Sequence, residues 1–392
     1  MGKYNFDKKI DRKNTNCIKF DYAVERGMPE DVLSLWVADM DFETAPGIQN
    51  ALIERAKHGI YGYTKPKSDY KETVAGWMKR RHNWNTELDW YVLVPGVVFA
   101  LSTAVRALTK EGDGILIQRP VYYPFTSVIM ENNRMLVNNP LVYEEGVYKM
   151  DLVHFEESII ENNVKLFILC NPHNPVGRVW TKEELTAMGD ICLKHNVTVV
   201  ADEIHSDFIR SGYTHTVFAD IKPEFADITV TCTSPSKTFN LAGLQISNII
   251  ISNEVLRKAF KKEINRIGYD EPALFGVIAG QAAYETGEDW LEELKVYLEE
   301  NLSFVREFLK NKMPKVTLIE LQGTYLIWLD FRAYGLSDKE IEDIIVHKAR
   351  LWFDTGSMFG PEGEGFQRIN IATNREYLEK ALLALEAAFS QV

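Results

Sequence analysis

Three groups of polar residues in the middle of the sequence each follow a short apolar run. The groups are Asn171–Gly177 (NPHNPVG), Asp202–His205 (DEIH) and Ser234–Lys237 (SPSK), and they follow KLFILC, VTVVA and ITVTC. Asn174 and Asp202 are 28 positions apart, and Asp202 and Lys237 are 35 apart; each step fits about one helix and one strand. In open α/β sheets, ligands bind outside the carboxyl ends of the strands, so the three groups predict one shared site.

The residue types in these groups suit one kind of chemistry. A lysine becomes a nucleophile when burial or a nearby cation lowers its pKa, so Lys237 can carry an aldehyde cofactor. The hydroxyls of Ser234 and Ser236 can donate to phosphate oxygens. Asp202 can keep a pyridinium nitrogen protonated and Asn174 can donate to a ring oxygen, which together indicate pyridoxal phosphate (PLP) as the cofactor.

Two further motifs fit the same ligand. Gly96, Val97 and Val98 follow the strand-like YVLVP and open a helix, whose first backbone N–H groups form an anion site without side-chain charge. Tyr122 and Tyr123 can supply a ring that stacks on a flat heteroaromatic. Taken singly, each of these features is commonly structural, and His205 is more often a structural histidine than a ligand. Their joint order and spacing favour the functional interpretation.

The elements that position these residues alternate between helix and strand, which is typical of an α/β fold with a largely parallel sheet. A capping box, Thr181-x-x-Glu184, predicts the start of a helix that ends near His195. The other predicted elements are a helix over Val98–Lys110 and strands over Ile115–Gln118, Lys165–Cys170, Val197–Ala201, Ile228–Cys232 and Ile246–Ile251.

The pattern changes after about residue 285, where long amphipathic helices appear. We predict a large domain over 46–285, a smaller α+β domain over 286–392, and an N-terminal segment, 1–45, that packs on the smaller domain. The smaller domain should contain helices at Trp290–Lys312, Asp338–Ala349 and Glu376–Phe389, and strands at Gly323–Phe331 and Gln367–Ala372.

Composition excludes several function classes. The 392 residues include 56 acidic and 44 basic side chains, and the net charge of −12 argues against nucleic-acid binding. No run of about 18 apolar residues is present to span a bilayer, and the N-terminus lacks an apolar signal region. No His/Cys cluster has metal-ligand spacing. The four cysteines form no C-x-x-C pair, so we expect a reducing, cytoplasmic location without metal or membrane partners.

Over essentially its whole length the sequence resembles the class I/II aminotransferase superfamily of PLP enzymes, fold type I. It is most similar to the cystathionine β-lyase branch, the MalY/PatB and cystalysin-like C–S lyases. The motifs that carry the resemblance are VADMDF at 37–42, YGYTKP at 61–66, WMKRRHNW at 77–84, PVYYPF at 120–125, HNPVGRVW at 173–180, DEIHSDF at 202–208, SPSKTFNLAGLQ at 234–245 and FQRINIA at 366–372. The fold that the resemblance implies is a mostly parallel, seven-stranded-type sheet flanked by helices, plus a smaller α+β domain.

The resemblance also implies a role for each site residue. Lys237 should hold the cofactor as a Schiff base and move the Cα proton. Arg368 should bind the substrate carboxylate, with a backbone contact from Ala38. The family is implied to be a homodimer in which a neighbouring tyrosine reaches the phosphate; Tyr63 fits better than Tyr61. The residues expected on the cofactor are Asp202, Asn174, Tyr122, Gly96, Val97, Val98, Ser234, Ser236 and His205.

Two positions depart from the aminotransferase pattern. Gln245 stands where an arginine usually contacts the phosphate, and His205 stands where a tyrosine usually follows the aspartate. Both changes favour α,β-elimination from S-substituted cysteines, with Tyr122 or Tyr123 assisting the leaving sulfur. Transamination is the alternative, since it shares the early steps. A third hypothesis adds a regulatory protein-binding role to the catalytic one.

Overall fold

The computed structural model describes residues 2–144, 146–390 and 392. Its largest sheet has seven strands, as the sequence predicts. Four strand pairings in this sheet are parallel, whereas Ser247–Ile250 runs antiparallel to both of its neighbours. In spatial order the strands are Tyr91–Val94, Ser247–Ile250, Thr229–Thr233, Thr198–Asp202, Val164–Cys170, Gly114–Ile117 and Met135–Asn138.

The five strands predicted in this sheet are confirmed to within one residue at each end. Their β-branched and apolar side chains are buried because helices cover both faces of the sheet, the usual arrangement of parallel sheets. The helices of this part of the chain are Pro46–Lys57, Ser68–His82, Val97–Leu108, Pro124–Met130, Leu152–Glu161, Lys182–Lys194, Pro223–Asp227, Pro235–Thr238, Glu254–Arg266 and Leu274–Thr286. None of the helices that the structure describes is both long and apolar enough to cross a membrane.

The predicted capping box is present at the start of helix Lys182–Lys194. The Glu184 backbone N–H donates to the Thr181 hydroxyl at 3.2 Å, and the Thr181 N–H donates to the Glu184 carboxylate at 2.8 Å. Both contacts satisfy N–H groups that have no partner within the helix.

A second sheet has four antiparallel strands and lies in the C-terminal part of the chain. In spatial order these are Thr317–Leu318, Leu326–Asp330, Phe366–Asn370 and Asp354–Thr355, packed with helices Glu288–Lys312 and Arg375–Phe389. The predicted helix over Asp338–Ala349 is present, but it changes type along its length. An α-helix covers Asp338–Asp343, and a π-helical turn continues it over Ile344–Lys348.

The N-terminal segment crosses onto this second part. Leu33–Ser34 pairs in parallel with Leu351–Trp352, and the Asn370 side-chain amide donates to the carbonyls of Val37 and Asp39 at 2.6 Å each. These contacts bring Ala38 to the end of the large sheet. Gly287 separates helices Leu274–Thr286 and Glu288–Lys312, close to the predicted boundary at 285. The division into three parts stays a prediction.

Candidate active site

A cavity of about 200 Å³ lies at the carboxyl ends of the central strands. We call it the Lys237 cavity. Ten of the residues predicted from the sequence line it: Ala38, Gly96, Val97, Val98, Tyr122, Asn174, Asp202, His205, Ser236 and Lys237. Strand register explains this convergence, because Asp202 pairs with Cys170 on one neighbouring strand and with Cys232 on the other.

Lys237 lies on the short helix Pro235–Thr238, which Ser234 caps by accepting a hydrogen bond from the Ser236 N–H. Its Nζ donates to the Ala38 carbonyl at 2.9 Å. Burial lowers the pKa of Lys237 to about 8, with Arg368 acting in the same direction and Asp39 and Asp202 opposing. A lysine of lowered pKa has more neutral amine at neutral pH, which is what a nucleophile or a base requires.

Asp202 ends its strand as a buried carboxyl group with few partners. Burial raises its pKa to about 7, while the Ile204 backbone N–H, which donates to Oδ1 at 3.2 Å, and the charge of Lys237 lower it. A cationic N–H group placed beside Asp202 would restore the ionised form. The structure therefore presents a carboxyl group suited to hold a protonated ring nitrogen.

Arg368 is placed next to the cavity by strand Phe366–Asn370. Its Nη1 donates to Oδ1 of Asn174 at 2.8 Å, and its Nη2 donates to the Trp36 carbonyl at 3.2 Å and to the Asp354 carboxylate. Because guanidinium N–H groups only donate, the Asn174 oxygen must face Arg368. The Asn174 amide group is then left free to donate, as a contact to a ring oxygen requires.

The other end of the cavity is built from backbone N–H groups and a hydroxyl. Gly96 precedes helix Val97–Leu108, and the N–H groups of Val97 and Val98 have no acceptor within that helix. Ser236 lines the cavity beside them. Ser234 does not line it, since its hydroxyl lies 2.8 Å from both the Ile246 carbonyl and the Ser236 hydroxyl. Ser234 supports the helix rather than the cavity wall.

The aromatic predictions divide in a similar way. Tyr122 lines the cavity, whereas Tyr123 packs behind it with ring centroids 5.4 Å apart. Burial raises the pKa of both phenols, so both keep their proton. His205 also lines the cavity, and burial followed by the charge of Lys237 lowers the pKa of its ring well below the ordinary value. The imidazole is therefore neutral.

Three residues considered in the sequence lie outside the cavity of their own chain. Tyr63 is 99% exposed, and Tyr61 is largely exposed with its hydroxyl donating to the Ala56 carbonyl at 2.8 Å. Gln245 is exposed in a left-handed conformation and does not line the cavity. Position 245 therefore contributes no side chain to the end of the cavity formed by the Val97 and Val98 N–H groups.

Sequence reasoning missed the residues that come from distant parts of the chain. Asp354 is buried against Arg368, and burial raises its pKa whereas Arg368 opposes that shift. The Tyr325 hydroxyl donates to the Ala38 carbonyl at 3.0 Å, next to Lys237. No local motif marks either residue, because strand pairing in the second sheet brings them to the site.

The comparisons with known proteins agree with this geometry. Residues 30–385 match the family model described as aminotransferase class I and II. Cystathionine β-lyase PatB of Bacillus subtilis is 45% identical, covering 98% of this chain and all of the relative.

Solved structures are equally similar. A PLP-bound protein of Clostridium difficile 630, provisionally described as an aminotransferase, has a TM-score of 0.96 and 46% identity over 98% of this chain and 99% of its own. Cystalysin from Treponema denticola, which contains PLP, has a TM-score of 0.95 and 39% identity over 99% of both chains. The chain belongs to the class I and II aminotransferase family.

Proposed function

We propose that this protein is a PLP-dependent C–S β-lyase that cleaves cystathionine or other S-substituted L-cysteines to a thiol, pyruvate and ammonia. The observation that carries the proposal is the Lys237 amine, whose pKa of about 8 results from burial in a cavity that also contains Asp202 and Asn174. The names of the relatives that are lyases, among them PatB and cystalysin, support the same activity.

The residues of the Lys237 cavity fit PLP at each of its functional groups. Lys237 matches the aldehyde, Asp202 the ring nitrogen, Asn174 the ring oxygen and Tyr122 the ring face. The N–H groups of Val97 and Val98, with Ser236, match the phosphate. When bound, PLP supplies an aldehyde that captures amines and a ring that accepts the electron pair left on Cα.

The chain's own residues then have distinct tasks. Arg368 binds the substrate carboxylate with its guanidinium group. Lys237 takes the Cα proton, because its lowered pKa of about 8 gives it more neutral amine near neutral pH than an exposed lysine has. Tyr122, which lines the cavity with its proton retained, donates to the departing sulfur. Cleavage of the Cβ–S bond releases the thiol, and water converts the remaining fragment to pyruvate and ammonia.

Transamination is the second candidate function. The description of the matched family and of the Clostridium difficile relative favours it. Gln245 and His205 oppose it, because both replace residues that the aminotransferase pattern uses at the cofactor. The two activities differ in products, since transamination exchanges an amino group with a 2-oxo acid and releases no ammonia.

The test is a panel of S-substituted L-cysteines, including L-cystathionine, assayed for pyruvate, ammonia and thiol. We expect the three products in equal amounts from the wild-type holoenzyme and none from Lys237→Ala. An amino acid with a 2-oxo acid should give little exchange. Stoichiometric exchange without pyruvate would establish the transaminase instead, and full turnover by Lys237→Ala would refute both.

We further propose a homodimer in which Tyr63 of one chain contacts the phosphate held by the other. The near-complete exposure of Tyr63 in its own chain supports this, and the hydrogen bond of Tyr61 to Ala56 makes Tyr61 the weaker choice. Mixing Lys237→Ala and Tyr63→Ala chains tests it. If Tyr63 acts between chains, one of the two sites of a hybrid dimer should regain activity, because it combines the intact Lys237 of one chain with the intact tyrosine of the other. If Tyr63 acts within its own chain, no site of the hybrid has both residues.

The location and the domain division are also proposals. Four free cysteines, three of them buried, support a reducing compartment such as the cytoplasm. The separate four-stranded sheet and the helix break at Gly287 support a smaller domain from about residue 286.

A further inference from the structure

At the end of strand Thr198–Asp202 and on the short helix Pro235–Thr238, consecutive residues face different surroundings. Asp202 and Lys237 line the Lys237 cavity, whereas their successors Glu203 and Thr238 are buried behind it. Each successor contacts a carboxylate or histidine that the proposed chemistry does not use. A second layer of polar side chains, formed by Glu203, Thr238 and their partners, therefore packs directly behind the residues that line the cavity.

Asp207 is the centre of that layer. Its Oδ2 accepts a hydrogen bond from the Thr238 hydroxyl at 2.7 Å, and its Oδ1 accepts one from the Trp77 indole N–H at 3.3 Å. His82 Nε2 lies 3.2 Å from the same Oδ1. A carboxylate can only accept in these contacts, so three donors converge on it. Trp77 and His82 both come from helix Ser68–His82, far from Lys237 in sequence.

The layer opens to a pocket of about 190 Å³ that shares no lining residue with the Lys237 cavity. His82 and His215 both line it, with ring centroids 5.5 Å apart and edge to face. His215 Nε2 lies 3.1 Å from Glu203, which also accepts from the Phe218 N–H. Among the described residues, no group of three or more His, Cys, Asp or Glu side chains is arranged to hold a metal ion. The interactions seen in this layer are hydrogen bonds.

Asp207 is ionised in this environment. Burial would raise its pKa, but the contacts with His82 and Thr238 and the charge of Arg81 outweigh burial and hold the pKa below its ordinary value. The groups that shift the pKa of Lys237 are Arg368, Asp39 and Asp202, not Asp207. The hydrogen bond with Thr238 is the contact that connects Asp207 to the short helix of Lys237.

We propose that Asp207 is a positioning residue for Lys237: held by His82 and Trp77, it fixes Thr238 and with it the short helix that aims the amine. This role rests on the proposed function of Lys237 as the cofactor-binding base. It gives a role to Trp77 and His82, which lie outside the Lys237 cavity but hold the carboxylate that contacts Thr238. A small displacement of a catalytic base slows the reaction that it catalyses. Asp207 can therefore affect catalysis without touching the substrate, and we call its contacts with Thr238, His82 and Trp77 the anchor.

The main test compares Thr238→Val with Thr238→Ser in the holoenzyme. Valine keeps the shape but removes the hydroxyl, whereas serine keeps the hydroxyl. We expect Thr238→Val to lower kcat for pyruvate release about tenfold with KM within about twofold of wild type. The pH midpoint of the bound cofactor's visible absorption band should shift by about one unit, a tenfold change in the proton equilibrium. Thr238→Ser should restore both.

The matched control is Thr229→Val. Thr229 is as buried as Thr238, at 1% exposure, and its hydroxyl also donates one hydrogen bond, to the Phe225 carbonyl, at the opposite end of its strand from the site. This variant should lower the melting temperature and leave kcat and the absorption titration unchanged.

A second pair of variants changes His82, which contacts Asp207 on the side away from Thr238. His82→Gln keeps an N–H donor near the position of Nε2, and His82→Leu removes it. We expect His82→Leu to reproduce the changes of Thr238→Val and His82→Gln to resemble wild type. His82 lies outside the Lys237 cavity, and its contact with Asp207 is the route by which we expect it to act on Lys237.

Two outcomes of the kinetic and absorption measurements would overturn the role of Asp207. One is a loss of thermal stability in Thr238→Val and His82→Leu with kcat and the titration at wild-type values. The other is failure of Thr238→Ser to restore them. Reductive methylation of Lys237 in the cofactor-free protein reads the same environment without PLP or turnover. Altered methylation with no pyruvate from wild type would refute the lyase while supporting the anchor, and unaltered methylation in both loss variants would refute the anchor.

Discussion

Asp202, at the end of its strand, and Asp207, five residues later, are both buried carboxyl groups, yet their environments are opposite. Asp202 accepts one hydrogen bond, from a backbone N–H at 3.2 Å, and burial raises its pKa to about 7. Asp207 has three side-chain donors around it, and its pKa is lowered. The first faces the Lys237 cavity and the second faces helix Ser68–His82.

The difference shows how the chain separates reactivity from support. A carboxyl group left short of partners pays a free-energy penalty for its charge, which a bound cation can relieve. A carboxylate whose oxygens already accept several hydrogen bonds is not available to a ligand, and it instead fixes the positions of its donors. The same contrast applies to Lys237, whose amine has a single carbonyl partner, and its neighbour Thr238.

The largest expected effects come from changing each aspartate to asparagine. Asp202→Asn should lower kcat by about 100-fold, because in the proposed function the ring nitrogen of the cofactor would lose its charged partner. The cofactor-free variant should nevertheless be as stable as wild type or more stable at pH 7 and above. The folded-state pKa of Asp202 is raised, so its ionised form opposes folding as pH increases from 3.8 through about 7. Thermal unfolding of the cofactor-free proteins measures this.

Asp207→Asn should show the reverse balance. Its stability should fall by about 1–3 kcal/mol, because three converging donors lose a charged acceptor. Its kcat should fall less than that of Asp202→Asn. Equal stability losses in the two variants would contradict the comparison, since both would then be simple structural carboxylates.

Asp354→Ala is expected to have the next largest effect. Removing one partner of a buried ion pair leaves Arg368 uncompensated, at a cost of about 3 kcal/mol in the free energy of unfolding. KM for amino-acid substrates should increase more than kcat decreases if Arg368 binds the substrate carboxylate, as we propose. Denaturant unfolding and steady-state kinetics provide the two measurements. Asp354→Asn, which keeps an acceptor, should lie between wild type and alanine in both; a KM unchanged in Asp354→Ala would separate Asp354 from substrate binding.

Much of this site could be predicted from the sequence because its chemistry is local. Lys237, Asp202 and Asn174 follow strands whose ends are fixed by short apolar runs, and the Thr181 capping box is a four-residue motif. Asp354 and Tyr325 could not be predicted, because their positions depend on strand pairing in the second sheet. The helix over Asp338–Ala349 was predicted, but its change to a π-helical turn after Asp343 was not, since amphipathic periodicity does not reveal where such a turn begins. The roles of the individual site residues stay predictions.

The reactivity of Lys237 provides a smaller effect. In the cofactor-free protein, methylation of Lys237 by formaldehyde and a mild hydride donor should reach half its maximal rate near pH 8, well below the ordinary 10.5 of a lysine. Peptide mapping separates it from exposed lysines such as Lys57, which serves as the internal reference. Arg368→Gln should move the midpoint upward, because it removes a cation that lowers the pKa. A midpoint near 10.5 in wild type would mean that Lys237 is not desolvated.

The smallest expected effect is that of a control variant, Thr181→Ala, which lies away from both Asp202 and Asp207 and shows what a loss of stability alone does to kcat. Thr181→Ala removes the side-chain half of a capping box on helix Lys182–Lys194 and should lower the free energy of unfolding by about 1 kcal/mol. Neither kcat nor the absorption titration should change, because Thr181 lines neither the Lys237 cavity nor the histidine-lined pocket behind it. Thermal unfolding beside steady-state kinetics measures both. If Thr181→Ala reduced kcat in proportion to stability, the effects at Thr238 would have to be attributed to stability alone, and the distinction between reactive and supporting carboxylates would rest on Asp202 by itself.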